Sequence, residues 1–265
     1  MFQFYNNMRY QMPVLFGGFE FDPNEGAAAL DLSIITFMQE TTKEALDDYL
    51  PEGFSLVSPT LIVQYLQLRE VDILSGGAYN IVQASLPVHF EGQNDSLDGV
   101  LPLVLWENDT IPILGGREYS GMPKIYTDIS DLNCTDGHYF ANASFNGNTF
   151  FTFDLENLRP CTDQEFSSMK SSYANVNAIG IRYTPKIGAP GADLIQTIVY
   201  PQTIIPYEIY TGTGSIEWTM LPFYQGLVHS RIIEQLSHIP CISMSAPTFT
   251  KGMITMKSLR CREIY

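Results

Sequence analysis

Six lysines occur in the 265 residues, and Lys124 is the one whose surroundings would let a primary amine act as a nucleophile. It ends the run Ile111-Pro-Ile-Leu-Gly-Gly-Arg-Glu-Tyr-Ser-Gly-Met-Pro-Lys124, which reads as an apolar strand, a double glycine, a charged pair and a proline-held lysine. Gly115, Gly116 and Gly121 permit close backbone approach, while Pro123 fixes its own φ and pushes Met122 toward an extended conformation. The lysine is therefore held by a stiff segment, with Met122 and Ile125 beside it. In an apolar pocket, desolvation favours the uncharged amine, which attacks a carbonyl carbon and forms an imine. The same residues also fit a solvated lysine at a strand end, with Arg117 and Glu118 as a structural ion pair.

Other side chains are candidates for the rest of such a site. Arg117 has the fork geometry to take a substrate carboxylate, and Glu118 the chemistry to carry a proton. Gln64 and Glu70 lie six residues apart on a strand-like run and so share a face, with Glu70 near its end and expected in solvent. Gln64, Tyr79, Trp106 and Met122 are the expected pocket lining, with Tyr126 nearby, although such residues also serve as plain core. The histidines, His89, His138, His229 and His238, do not pair at metal-ligand spacing. Cys134, Cys161, Cys241 and Cys261 lie far apart without a C-x-x-C pair and read as reduced thiols, so neither a metal nor another cofactor is expected.

Fourteen Lys plus Arg stand against 29 Asp plus Glu, a formal charge of -15. That field repels phosphate backbones and anionic lipid, so nucleic acid and membrane surfaces are not expected partners. No apolar run reaches the ~20 residues of a membrane helix, and the amino-terminal residues lack the pattern of a secretory signal, so a cytoplasmic protein is expected. The 45% hydrophobic content is enough to enclose a dry pocket.

The elements that must position Lys124 read mainly as strands. Runs rich in β-branched and aromatic residues cover Leu32–Phe37, Thr60–Leu68, Tyr79–Phe90, Leu101–Trp106, Tyr139–Phe145, Thr149–Leu155, Ile179–Thr184, Ile195–Tyr210 and Gly214–Leu221. Asn146-Gly147 between two of them predicts a tight hairpin. Helices are expected over Thr41–Pro51, with Thr41 and Glu44 as a capping box, and over Pro222–Ser237. The polar stretch Cys161–Asn177 reads as a lid or excursion. A single domain over 1–265 is expected, mainly β with a few helices, as a closed or nearly closed antiparallel β-barrel.

The run Gly-Arg-Glu-x-x-Gly-x-Pro-Lys resembles the segment of the acetoacetate decarboxylase family that ends in its imine-forming lysine, which falls on Lys124. Tyr10-Gln-Met-Pro-Val-Leu-Phe-Gly17, Leu50-Pro-Glu-Gly-Phe54, Gly76-Gly-Ala-Tyr-Asn80 and Leu86-Pro-Val-His-Phe90 resemble further segments of that family. The resemblance implies a homo-oligomeric, cofactor-independent lyase acting on a small-molecule keto acid or related carbonyl, with β-keto acid decarboxylation as the reaction. Three features depart from it. The family's second lysine is Ile125 here, and its pocket glutamate aligns with Ile81; its amino-terminal arginine has no counterpart near Ala27–Asp31. These departures leave room for an imine-dependent aldolase, dehydratase or cyclase on a larger oxo-acid or polyketide-like substrate, or for a non-enzymatic binding barrel.

Overall fold

Runs apolar at successive positions, with no polar stripe, call for strands covered on both faces. The computed structural model, which describes all residues except 21, 23–25 and 258–260, bears this out. Strands β1 (Gly26–Glu40), β2 (Thr60–Val71), β3 (Gly77–Glu91) and β4 (Ser96–Glu107) form an antiparallel meander. The short β5 (Lys124–Tyr126) runs parallel to the end of β4. β6 (His138–Phe145) and β7 (Asn148–Pro160) make the expected hairpin, with Asn146 and Gly147 at φ 51° and 75°.

The remaining long strands are β8 (Val176–Pro185), β9 (Ala192–Trp218) and β10 (Thr248–Lys257). β10 pairs with both β9 and β1, β9 pairs with β8, and β8 meets β4 at one parallel pair, Ala178 with Val100. Seven strands, in the order β9, β8, β4, β3, β2, β1 and β10, thus close a hydrogen-bonded ring. The mainly β architecture expected from the sequence holds, and the closing contact and β5 are its parallel pairings among the described residues.

Two apolar clusters lie on the two faces of this ring. Leu32, Ile34, Leu66, Leu68, Tyr79, Ile81, Leu105, Met122, Ala178, Ile204 and Ile254 gather inside it. The alternate residues of the same strands, such as Phe37, Tyr65, Val82 and Trp106, face outward and pack with Phe150, Phe151 and Phe153 of β7.

Four α-helices are present among the described residues: α1 (Glu44–Asp47), α2 (Thr110–Ser120), α3 (Asp163–Tyr173) and α4 (Leu227–Ser237). The expected Thr41 capping box does not form; the amide of Ala45 instead donates to Thr42 Oγ1 at 3.3 Å. The stretch read as a lid is α3, where the box is made by Thr162 and Glu165. The segment read as an apolar strand before Gly115 is helix α2. Asp109 caps it by accepting from the amide of Ile111, Pro112 sits in the first turn where its missing N–H costs little, and Gly121 at φ 64° closes it. No helix of the described residues is long and apolar enough to cross a membrane.

Candidate active site

Helix α2 and strand β5 are joined by Gly121, Met122 and Pro123, so the helix folds back over the strand that follows it. A Cβ on Gly116 would lie 2.5 Å from Lys124 Cε and 2.6 Å from Cδ. Helix interiors disfavour glycine by ~1 kcal/mol relative to alanine, and here the bare backbone is the floor on which the lysine stem lies. A Cβ on Gly121 would lie 2.5 Å from the backbone nitrogen of Arg182 on β8, so the bare glycine lets the turn seat against the ring wall.

The amine at the end of that stem has two neighbours. Nζ donates to the carbonyl of Pro112 at 3.1 Å and lies 2.9 Å from Oε1 of Glu107. The lysine side chain is 13% exposed and the glutamate 0%. The approach to Glu107 is off the direction of a hydrogen bond, so both carboxylate oxygens lack an aligned donor. Burial pushes the Glu107 carboxyl above its ordinary range, the charge of Lys124 offsets part of that, and Asp109 adds to it. A buried carboxyl close to an amine, with unfilled acceptor positions, is suited to moving a proton.

Glu107 was not among the residues expected from the sequence. The acid looked for at Ile81 is absent, but Glu107 on β4 is the cross-strand partner of Ile81 on β3, so a carboxylate reaches the same face from the neighbouring strand. The apolar run expected as a strand ends at Trp106, and the period of two that makes Glu107 share a face with Leu105 is the signal that marks it.

The other expected residues divide. Met122 (5% exposed), Ile81 (7%) and Tyr79 (5%) belong to the inner cluster. Trp106 does not, because it is one residue from Glu107 and therefore points outward, against Phe150 and Trp218. Arg117 is exposed and donates from Nη1 to the carbonyl of Lys124 at 2.8 Å, so it holds the backbone of β5 and does not present a carboxylate clamp. Glu118 turns toward the amino-terminal segment, where Oε2 accepts from the amide of Met12 at 3.4 Å. Gln64 faces inward but lies three strands from Lys124 through Gln83 and Leu105, on the order of 14 Å along the sheet, and its amide is engaged by Thr36 and Gln83. Glu70 is exposed, as expected. Tyr126 is exposed too; its hydroxyl donates to Asp128, and its carbonyl meets Nε2 of His229 at 2.9 Å. An open cleft of about 440 Å³ among His138, Tyr139, Tyr210 and Lys251 lies over β6, β7, β9 and β10 and does not border Lys124.

A strand ring with an amine and a carboxyl shut into its wall defines the class of fold and site. The family model described as acetoacetate decarboxylase (ADC) matches residues 11–243, and the chain belongs to that family. An acetoacetate decarboxylase of Burkholderia cenocepacia (strain HI2424) is 30% identical over 95 residues, a stretch that is 36% of this chain and 36% of that protein. The matched stretch thus spans about a third of that curated relative. Among solved structures, the acetoacetate decarboxylase of Legionella pneumophila superposes with a TM-score of 0.75 at 14% identity, covering 94% of this chain and 92% of the other. The enduracididine biosynthesis enzyme MppR complexed with pyruvate gives 0.71 at 13% identity, over 98% of both chains. At such identities the superpositions speak for the fold.

Proposed function

We propose that Lys124 forms an imine with a keto acid and that the bond then broken is the one to the carboxyl carbon. Glu107 is the proton partner. On substrate entry a proton passes from the amine to the carboxylate, whose burial favours its neutral form. The free amine attacks the ketone carbon, Glu107 returns the proton to the departing oxygen, and water leaves as the imine forms. In a β-keto acid the electron pair of the C–COO⁻ bond then moves into the cationic imine, carbon dioxide departs, and the enamine is protonated at carbon. Water hydrolyses the product from Lys124. The imine is the electron sink, so the reading needs no organic cofactor.

The observation that carries this reading is the buried Lys124–Glu107 pair laid across Gly116. Family membership supports it, as does the pyruvate held by a protein of the same fold. Carbon dioxide release from acetoacetate and longer β-keto acids tests it: wild type should release it, and Lys124→Ala should not. Turnover of those acids by Lys124→Ala at the wild-type rate would overturn the reading.

One observation favours a second reading, an imine-dependent aldolase, dehydratase or cyclase. Arg117, expected to clamp a carboxylate, is committed to the carbonyl of Lys124. A substrate adduct on Lys124 without carbon dioxide release would select this alternative.

A further inference from the structure

The inner wall of the ring holds two phenols that imine chemistry alone does not use. Tyr79 on β3 is 5% exposed, and Tyr200 on β9 packs against the same cluster. Neither hydroxyl has a hydrogen-bond partner among the described residues, whereas buried tyrosines ordinarily find one. Tyr65 on the outer face does so, donating to the carbonyl of Ser130 at 3.0 Å, and Tyr173 meets Thr250 Oγ1 at 3.2 Å. The Tyr79 ring is buried and the Tyr200 ring half-buried, while neither oxygen is fully enclosed, so each hydroxyl is a donor that an entering acceptor can reach.

The register places Tyr79 next to Glu107 on the inner face. Ile81 is opposite Glu107, and Tyr79 lies two residues before Ile81 on the same face, which makes it the diagonal neighbour of Glu107. The charges felt at the Tyr79 hydroxyl are those of Glu107, Asp109 and Asp72, all acidic, with Tyr200 adding to them. Burial is the larger cause, and the carboxylates push the same way, so the phenol stays protonated. A substrate carboxylate brought to this hydroxyl would meet like charge. A neutral oxygen would accept its proton without repulsion.

We propose that Tyr79 donates a hydrogen bond to a second, uncharged oxygen of the substrate, an oxo or hydroxyl group near the carbonyl that reacts with Lys124. This rests on the imine reading above and narrows its substrate class to dioxygenated carbonyl compounds, with any carboxylate lying away from Tyr79.

The test compares 4-hydroxy-2-pentanone with 2-pentanone, the same chain without the second oxygen. Each is incubated with the full-length protein and borohydride, and the rate of adduct formation on Lys124 is read by mass spectrometry. Tyr79→Phe removes an oxygen that has no partner in the fold, so its melting temperature should match wild type. The ratio of the two rates should fall about five- to tenfold in Tyr79→Phe, the effect of one hydrogen bond, while the 2-pentanone rate changes less than about twofold. An unchanged ratio with labelling still on Lys124 overturns the role of Tyr79 and leaves the imine standing. Absence of label on Lys124 with either ketone overturns both. If Tyr79→Phe melts lower, Tyr79→Leu gives the same ratio test, and a ratio equal to wild type again overturns the proposal.

Discussion

Trp106 and Glu107 are adjacent on one strand and enter two different interiors. Outside the ring, Trp106 joins Phe150, Trp218 and a continuous aromatic core in which its indole nitrogen stays buried and unpaired. Inside, Glu107 faces an amine among Ile81, Leu105 and Met122, and the Tyr79 hydroxyl of the same face has no hydrogen-bond partner among the described residues. The outer interior is filled by aromatic packing that stabilises the chain. The inner one keeps a titratable carboxyl without an aligned donor, which costs more than the neutral indole nitrogens left unpaired outside, as reacting sites do.

The comparison predicts that damage to the two interiors should show in different measurements. Phe153→Ala on the outer side removes a ring that is 1% exposed and packs on Phe37, Tyr65 and Phe151. It should cost about 3–5 kcal/mol in denaturant melts while leaving adduct formation per folded molecule unchanged. Equal loss of trapping in the folded fraction would erase the distinction. On the inner side Glu107→Gln should slow imine formation by roughly 10²- to 10⁴-fold, the range for a positioned acid–base group, with the fold retained.

A pH-dependent effect sharpens the contrast. The folded Glu107 carboxyl titrates above its unfolded range, so its contribution to stability is fully present below the unfolded value and is lost as pH rises through the folded one. Lys124 offsets part of this shift. Lys124→Ala should therefore lose stability relative to wild type as pH rises, up to about 3 kcal/mol, and adding Glu107→Gln should abolish that loss and leave a curve no steeper than the wild-type one. Parallel stability–pH curves for the single variant and wild type would contradict this.

Gly116→Ala is the mildest change. Alanine improves helix propensity by ~1 kcal/mol, yet its methyl would displace the lysine stem. Trapping should fall about tenfold, a loss of ~1.4 kcal/mol, with little change in melting.

Much of this was legible in the sequence, and the gaps have physical causes. The strand runs and the Asn146-Gly147 hairpin were readable because β-branched content and turn chemistry are local signals. Helix α2 was not, since Gly115, Gly116 and Pro112 depress helix propensity, and the compensation, space for Lys124, is a tertiary contact. The same holds for Glu107. Its relation to Ile81 is a pairing between strands, so the acid of this face sits on β4 while the family's position for it falls on β3. Arg117 and Glu118 are charges beside a key lysine, which by type and position suggests chemistry, whereas the helix turns them toward a backbone carbonyl and the amino-terminal segment.

The central claim is that one lysine of six is the nucleophile. Treating the wild-type protein with acetoacetate and borohydride, digesting it and mapping the modified peptide by mass spectrometry tests this directly. The account predicts one adduct per chain, carried by Lys124 and absent from Lys43, Lys170, Lys186, Lys251 and Lys257. A label distributed over the other lysines, or its persistence in Lys124→Ala, would contradict it.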